Sequence, residues 1–234
     1  FSYFRTIFGC VEAASSLWIP SPFAPENRCT VVFDAISTRY RDRQRTQGRL
    51  GEAIAAICRL KAGNYLVFFP SYAYLEMVAE RLPALLPQAR FLIQKPQMGE
   101  KEREAFVEAF RDDPDRFTVG LAVMGGVFGE GIDLVGDRLS GALIVGVGLP
   151  AICLEREAIK AYFDAGCASG FDFAYRYPAM NRVLQAAGRV IRSRSDHGVI
   201  VLMDERFSLA GYGSLLPPDW RIQRAHDIRE LTGA

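Results

Sequence analysis

Residues 185–206 read QAAGRVIRSRSDHGVIVLMDER: an amphipathic stretch with arginines, then a turn, then a continuous apolar run. The run GVIVLMDE at 198–205 is typical of a β-strand that is covered on both faces of a sheet. If the preceding stretch is a helix, four of its residues recur at i, i+3, i+4 and i+7 and share one face. They are Gln185, Gly188, Arg189 and Arg192. The pattern predicts a row of multi-donor side chains that faces an anion or another domain.

Similar apolar runs recur along the chain and alternate with helical patterns. The runs are CTVVFDAI (29–36), YLVFFPS (65–71), ARFLIQ (89–94), FTVGLAVMG (117–125) and GALIVGVGLP (141–150). Helical periodicity occupies 49–63, 71–86 and 99–113, and Ser71 is a natural N-cap for the second of these helices. Alternation of this kind predicts an α/β fold in which helices cover both faces of a parallel sheet.

Length and composition narrow the class of protein. The chain has 234 residues, half of them apolar, so residues 1–234 can form a single domain with a full core. Residues 150–178 are too long for an ordinary connection and are predicted to be a helical insertion before the helix that carries Gln185. The first residue is Phe1, and the opening FSYFRTIFG is expected to be the middle of a longer protein.

Charge, cysteines and histidines exclude several kinds of site. A net charge of +1 argues against a general polyanion binder. The five cysteines are scattered without a CxxC pair, which predicts reduced cytoplasmic thiols and no zinc or iron–sulfur site in this stretch. Neither histidine has a partner at metal-ligand spacing, and we expect no metal site. No apolar run reaches 18 residues and no leader is recognisable, so no membrane partner is expected.

Open α/β sheets bind ligands beyond the carboxyl ends of their strands, and three candidate loops are expected there. In the first, Ser71 and Tyr72 follow a strand and open a helix, a geometry that suits phosphate as well as simple N-capping. The second is the glycine-rich stretch MGGVFGEGIDLVG (124–136), which either approaches a ligand closely or is an ordinary turn. The third is the arginine stretch itself, because arginine binds phosphate in a bidentate manner. A glycine at 188 would cost about 1 kcal/mol inside a helix, which favours a functional reason for it.

One further arginine-dense run, RYRDRQRTQGR at 39–49, leaves two interpretations open. Its arginines are Arg39, Arg41, Arg43, Arg45 and Arg49. They are either the solvated start of a helix or a surface that faces phosphate.

Several blocks resemble conserved motifs of the superfamily-2 DNA helicases of the XPD/DinG type. LVFFPSYAYLE, VFGEGIDLVGDRL and QAAGRVIRS…GVIVLMDERF resemble motifs IV, V and VI of that family, and QxxGRxIR after FxEGID is the most specific element. SPFAPENR, STRYRDR, FDFAYRYPAMNR and LLPPDW extend the resemblance over nearly the whole chain. The resemblance implies a RecA-like fold and the second, C-terminal motor domain of an ATP-dependent DNA helicase.

The family also implies roles for individual residues. Arg189 and Arg192 correspond to the arginines that meet the γ-phosphate of ATP, and Gln185 to the glutamine that positions it. The motif that couples nucleotide to DNA corresponds to Gly129, Glu130, Gly131 and Asp133, with Gly188 allowing close approach. On the DNA side the corresponding residues are Ser71, Tyr72 and Phe128. The implied partners are single-stranded DNA and an N-terminal motor domain of the same protein, in a repair role in the cytoplasm at the nucleoid.

The motifs that are missing from the sequence agree with a chain that contains only the second of two motor domains. No GxxxxGK[ST] or GxGxxG motif occurs, and the cysteines that bind the family's iron–sulfur cluster are absent. ATP and Mg²⁺ would therefore be bound mainly by the first domain, which is also where an iron–sulfur cluster could lie. Two rival functions stay open: a nucleotide-cofactor-binding α/β enzyme domain, and a nucleic-acid docking module without motor activity.

Overall fold

The fold is built on seven parallel strands. A computed structural model describes residues 2–11, 13–17, 19–111, 118–130, 134, 136–166 and 168–233. Its strands are β1 (Arg28–Phe33), β2 (Tyr65–Phe69), β3 (Arg90–Ile93), β4 (Thr118–Val123), β5 (Gly141–Val145), β6 (Gly198–Met203) and β7 (Ile222–Ala225). They form one sheet in the order β3-β4-β2-β5-β6-β1-β7, and every strand pair is parallel. The predicted α/β fold with a parallel sheet is confirmed.

Helices connect the strands and cover both faces of the sheet. They are α1 (Ser2–Ile7), α2 (Arg43–Leu60), α3 (Tyr72–Ala79), α4 (Leu82–Leu85), α5 (Glu100–Glu108), α6 (Val127–Glu130), α7 (Leu154–Ala165), α8 (Tyr177–Ala187), α9 (Ala210–Gly213) and α10 (Ile228–Thr232). One hydrophobic core lies between the sheet and α2, α3, α4 and α10. The other lies between the sheet and α5, α6, α8 and α9. No helix in the described part of the chain is long and apolar enough to cross a membrane.

The strands are apolar on both faces because both faces are buried. In β1, Val31 and Phe33 enter the first core, whereas Val32 between them enters the second. All five residues of β2 are buried. This explains why the sequence shows continuous apolar runs rather than strict alternation.

The insertion at 150–178 contains α7, whose described residues are all at least partly exposed, and a π-helix at Asp172–Arg176 that runs directly into α8. Within the π-helix, Arg176 Nη1 lies 2.7 Å from Asp172 Oδ1. The Arg176 guanidinium also packs 5.1 Å from the ring centroid of Tyr212, beside α9. These contacts tie the start of α8 to the end of the insertion and to α9.

The structure divides one predicted helix and contains one strand that the sequence patterns do not predict. The predicted helix at 71–86 is interrupted after α3, and α4 begins one residue before Pro83, which has no N–H to continue a helical ladder. The sequence patterns did not predict β7, whose residues Ile222–Ala225 read IQRA and carry no apolar run. The strands at the two sides of the sheet, β3 and β7, have four residues each.

Candidate functional site

The loops after the strands place a polar network at the carboxyl edge of the sheet. Asp204 follows β6, is fully buried, and accepts hydrogen bonds from the backbone nitrogens of Thr38 (3.0 Å) and Arg206 (2.8 Å). The guanidinium of Arg206 donates to both carboxylate oxygens, at 2.7 and 3.0 Å. Burial alone would lower the pKa of Arg206, but its hydrogen bonds and charge interaction with Asp204 raise that pKa overall. The network joins the ends of β6 and β1.

A glycine fits this network closely. Gly146 follows β5 with a φ of +77°, which is in the left-handed region that favours glycine. A Cβ at this position would lie 2.5 Å from Thr38 Oγ1. The close approach of β5 to the Thr38 loop therefore requires that position 146 has no side chain.

The arginine-dense run at 39–49 contains side chains that pair with acidic residues and one, Arg43, that contacts a carbonyl and an aromatic ring instead. Arg39 Nε lies 2.8 Å from Glu205, and Arg45 Nη2 lies 3.2 Å from Asp42. Arg43 instead donates to the carbonyl of Thr38 at 3.2 Å and packs 4.6 Å from the ring centroid of Tyr74. Burial is the largest effect on Arg43 and lowers its pKa. It borders a cavity of about 180 Å³. The side chains lining that cavity include Arg39, Tyr40, Arg43 and Arg206.

The predicted loop at Ser71 and Tyr72 lies at this same edge. Ser71 is the N-cap of α3, and its hydroxyl accepts a hydrogen bond from the backbone of Tyr74, as the capping interpretation predicts. Tyr72 is partly exposed, and its hydroxyl accepts from Gln94 Nε2 at 3.1 Å. Gln94 also accepts from the backbone of Val123 at 2.8 Å through Oε1. Gln94 therefore fixes Tyr72 to the ends of β3 and β4, and no sequence motif marked it.

The second predicted loop is only partly described. Phe128 is 1% exposed and stacks on Phe106 with ring centroids 4.2 Å apart. Its predicted contact with nucleic acid is wrong for the side chain, because the ring belongs to the core. Gly129 lies in α6, is buried, and donates its N–H to Gly126 at 2.8 Å. The Glu130 side chain, Gly131 and Asp133 lie outside the described residues.

The arginine stretch differs in two ways from the predicted helix face. Helix α8 ends at Ala187, and Gly188 is its C-cap with an ordinary φ of −66°. Arg189 and Arg192 therefore lie in the turn that follows, not on a helical stripe with Gln185. The supposed cost of a glycine inside a helix does not arise, because Gly188 terminates the helix.

The stretch is also at the opposite edge of the sheet. It precedes β6, and all strands are parallel, so the third candidate loop lies at the amino edge rather than at the carboxyl edge with the other two. Gln185 and Arg192 are exposed there and Arg189 is half-buried. Arg189 Nε lies 3.3 Å from the backbone carbonyl of Gln185. The structure thus brings Gln185 and Arg189 together at one end of α8.

Asp196 holds the turn that carries these arginines. Its carboxylate is 4% exposed and accepts from the backbone nitrogens of Arg192 and Ser193, both at 2.8 Å. It also accepts from Ser193 Oγ at 2.5 Å and from the backbone of Gly136 at 3.2 Å. Burial would raise the pKa of Asp196, but these donors outweigh burial and lower it. No sequence motif marked Asp196 for this positioning role.

Comparison with known proteins shows to which sequence family the chain belongs. The sequence family described as Helicase C-terminal domain matches residues 54–223. The chain belongs to this family. Among curated relatives, regulator of telomere elongation helicase 1 from Bos taurus is 31% identical over 186 residues, which is 72% of this chain and 15% of that protein. ATP-dependent DNA helicase chl1 from Aspergillus niger is 30% identical over 208 residues, covering 76% of this chain and 24% of that protein.

The family match and these relatives confirm that the chain is a helicase C-terminal domain. A solved structure, XPD_APO, has the same fold with a TM-score of 0.67 at 20% identity, over 85% of this chain and 40% of that one. The RecA-like fold is therefore confirmed. The chain spans 15% and 24% of the length of the two curated relatives.

Proposed function

We propose that the chain is the C-terminal motor domain of an ATP-dependent DNA helicase, and that Gln185, Arg189 and Arg192 complete an ATP site. The observation that carries the proposal is the turn after α8. The Asp196 carboxylate fixes its backbone, while the side chains of Gln185 and Arg192 remain exposed. The names of the relatives, which include an ATP-dependent DNA helicase, support this function.

The side chains fit one half of a phosphoryl-transfer site. Arginine stays charged and offers a fork of donors that matches phosphate oxygens, so Arg189 and Arg192 can stabilise negative charge that develops on a γ-phosphate. A phosphate cradle is absent from the sequence. No His, Cys, Asp or Glu cluster suited to a metal occurs among the described residues. An N-terminal motor domain would therefore supply the cradle and the ligands of Mg²⁺, and any iron–sulfur cluster would also lie outside this chain.

Nucleic acid would lie along the carboxyl edge. Ser71 and Tyr72 open α3 there, and Tyr72 offers a partly exposed ring whose position is set by Gln94. Stacking of bases on such rings is the usual way in which single strands are held without sequence preference. Gly129, Glu130, Gly131 and Asp133 would couple this edge to the nucleotide. We propose single-stranded DNA as the substrate, in repair at a cytoplasmic nucleoid.

The decisive experiment measures DNA-stimulated ATP turnover by the full-length protein. Arg189→Ala or Arg192→Ala should lower turnover by a factor on the order of 10³, as for other arginine fingers, with a much smaller effect on nucleotide binding. Lysine at either position should not restore turnover, because it lacks the bidentate fork. Arg194→Ala is the matched control, since Arg194 is exposed in the same turn and should leave turnover near its original value. Near-normal turnover in both alanine variants would contradict the assignment of Arg189 and Arg192 to the ATP site.

A further inference from the structure

Helix α8 carries one arginine, Arg182, to which the proposed function assigns no role. It is half-buried, and its guanidinium makes no hydrogen bond or ion pair with another residue that the structure describes. No nitrogen of its guanidinium is among the buried polar atoms that lack a hydrogen-bond partner, so the charged group reaches solvent while its stem packs on the chain. The guanidinium is therefore accessible to an anion from outside the chain.

The backbone beside Arg182 is shaped to receive it. Gly125, two residues beyond β4, has a φ of +70°. A Cβ at this position would lie 2.9 Å from Arg182 Nε and 3.1 Å from its Cδ. Any larger residue would push the guanidinium away from the loop. Because Gly125 has no side chain, Arg182 can pack against this turn at the carboxyl edge of the sheet.

The neighbouring residues connect this position to Tyr72. A Cβ at Gly126 would lie 3.4 Å from Gln94 Nε2, the same atom that donates to the hydroxyl of Tyr72. The turn at Gly125 and Gly126 therefore has Arg182 on one side and the Gln94–Tyr72 pair on the other. A guanidinium and a partly exposed aromatic ring at one edge are what a phosphate and its adjoining base require.

The nucleotide is an unsuitable source for this anion. Arg189 lies seven residues further along, in the turn after α8, at the opposite edge of the sheet. A rise of 1.5 Å per helical residue puts the two arginines roughly 10 Å apart along the helix axis. A phosphate bound in the turn at Arg189 would therefore lie about two helical turns from the backbone of Arg182.

We propose that Arg182 and the Gly125 turn bind a backbone phosphate of single-stranded nucleic acid, with the adjoining base on Tyr72. This inference rests on the proposed function and adds a phosphate-binding residue to its nucleic-acid edge. Helix α8 would then contact the strand through Arg182 and the nucleotide through the turn at its other end.

The test is binding of a fluorescent oligothymidylate to the 234-residue chain over a series of salt concentrations. Losing one phosphate contact should reduce the slope of log affinity against log salt by about 0.7. Arg182→Ala should also weaken binding at low salt roughly tenfold, as expected for one charge-assisted hydrogen bond. Arg90→Ala is the matched control, because Arg90 is exposed at the start of β3 on the opposite edge. Thermal melting of each variant establishes that it is folded.

The outcomes separate this inference from the proposed function. An unchanged slope in Arg182→Ala, with binding otherwise intact, would overturn the role of Arg182 and leave the helicase function standing. Failure of the parent chain to bind the strand at low salt would also overturn it. Competition by ATP that Arg182→Ala abolishes would mean that a nucleotide phosphate occupies the position, and would overturn the proposal as well. ATP turnover of the Arg189 and Arg192 variants tests the proposed function independently.

Discussion

The carboxylate of Asp196 holds the backbone nitrogen of Arg192 at 2.8 Å, and so fixes the turn from which the Arg192 side chain projects. We expect Asp196→Ala to reduce the free energy of unfolding by about 2–3 kcal/mol, because three backbone donors and a hydroxyl lose their acceptor. Chemical denaturation would measure the change. Ser195→Ala is the control: its hydroxyl is exposed and contacts only Ser193, so its effect should stay within about 0.5 kcal/mol. Equal effects of the two substitutions would contradict the positioning role.

The lowered pKa of Asp196 predicts a pH dependence. A carboxyl group whose pKa is lower in the folded chain than in the unfolded one stabilises the fold above the unfolded pKa, near 3.9. That contribution is lost as the pH falls through the folded pKa. The advantage of the original chain over Asp196→Asn in urea denaturation should therefore be constant from neutral pH to about pH 5 and shrink below it. An advantage that stays constant down to about pH 3 would mean that Asp196 titrates normally.

Two neighbouring acids after β6 should differ in their contribution to stability. Asp204→Ala leaves the buried guanidinium of Arg206 without its carboxylate, and should cost about 3–5 kcal/mol of unfolding free energy. Glu205→Ala removes an exposed ion pair with Arg39 and should cost less than about 1 kcal/mol. Urea denaturation at neutral pH compares the two. A larger loss of unfolding free energy in Glu205→Ala than in Asp204→Ala would contradict the stabilising role of the Asp204–Arg206 network at the carboxyl edge of the sheet.

Alanine should have opposite effects at two glycines. Gly146→Ala places a Cβ against Thr38 at a left-handed φ, and should lower the melting temperature. Gly48→Ala lies within α2, where a Cβ meets nothing within 4 Å, and should raise stability by about 0.5–1 kcal/mol. Differential scanning calorimetry distinguishes the two signs. Stabilisation by Gly146→Ala would show that the β5 loop can move away from Thr38.

The fold was predictable because its strongest signals are local. Continuous apolar runs mark β1 to β6, and Ser71 marks the start of α3. The strand β7 was missed because only one of its four residues, Ala225, is buried, so its sequence carries no apolar run. The end of α8 was missed for a different reason. Helical spacing continues from Gln185 to Arg192 in the sequence, and only the hydrogen bonds to Asp196 show that the chain turns instead.

The sequence could not place the candidate site residues in the fold. Arginine and glutamine types indicated phosphate, but spacing could not show that these residues precede β6 and so lie at its amino end. Phe128 was assigned to the DNA side because it lies in a motif, although stacking on Phe106 buries its ring. Gln94 and Arg182 act through contacts with loops distant in sequence, which no spacing rule can show.

The sheet ends on each side in a strand of only four residues, β3 and β7. The unpaired backbone N–H and C=O groups of an edge strand can hydrogen-bond to a strand of another chain, which leads to aggregation. In this chain both edge strands offer few backbone hydrogen bonds to another chain. Each also carries an exposed arginine, Arg90 in β3 and Arg224 in β7. Short length and positive charge at these two strands both oppose such joining of separate sheets.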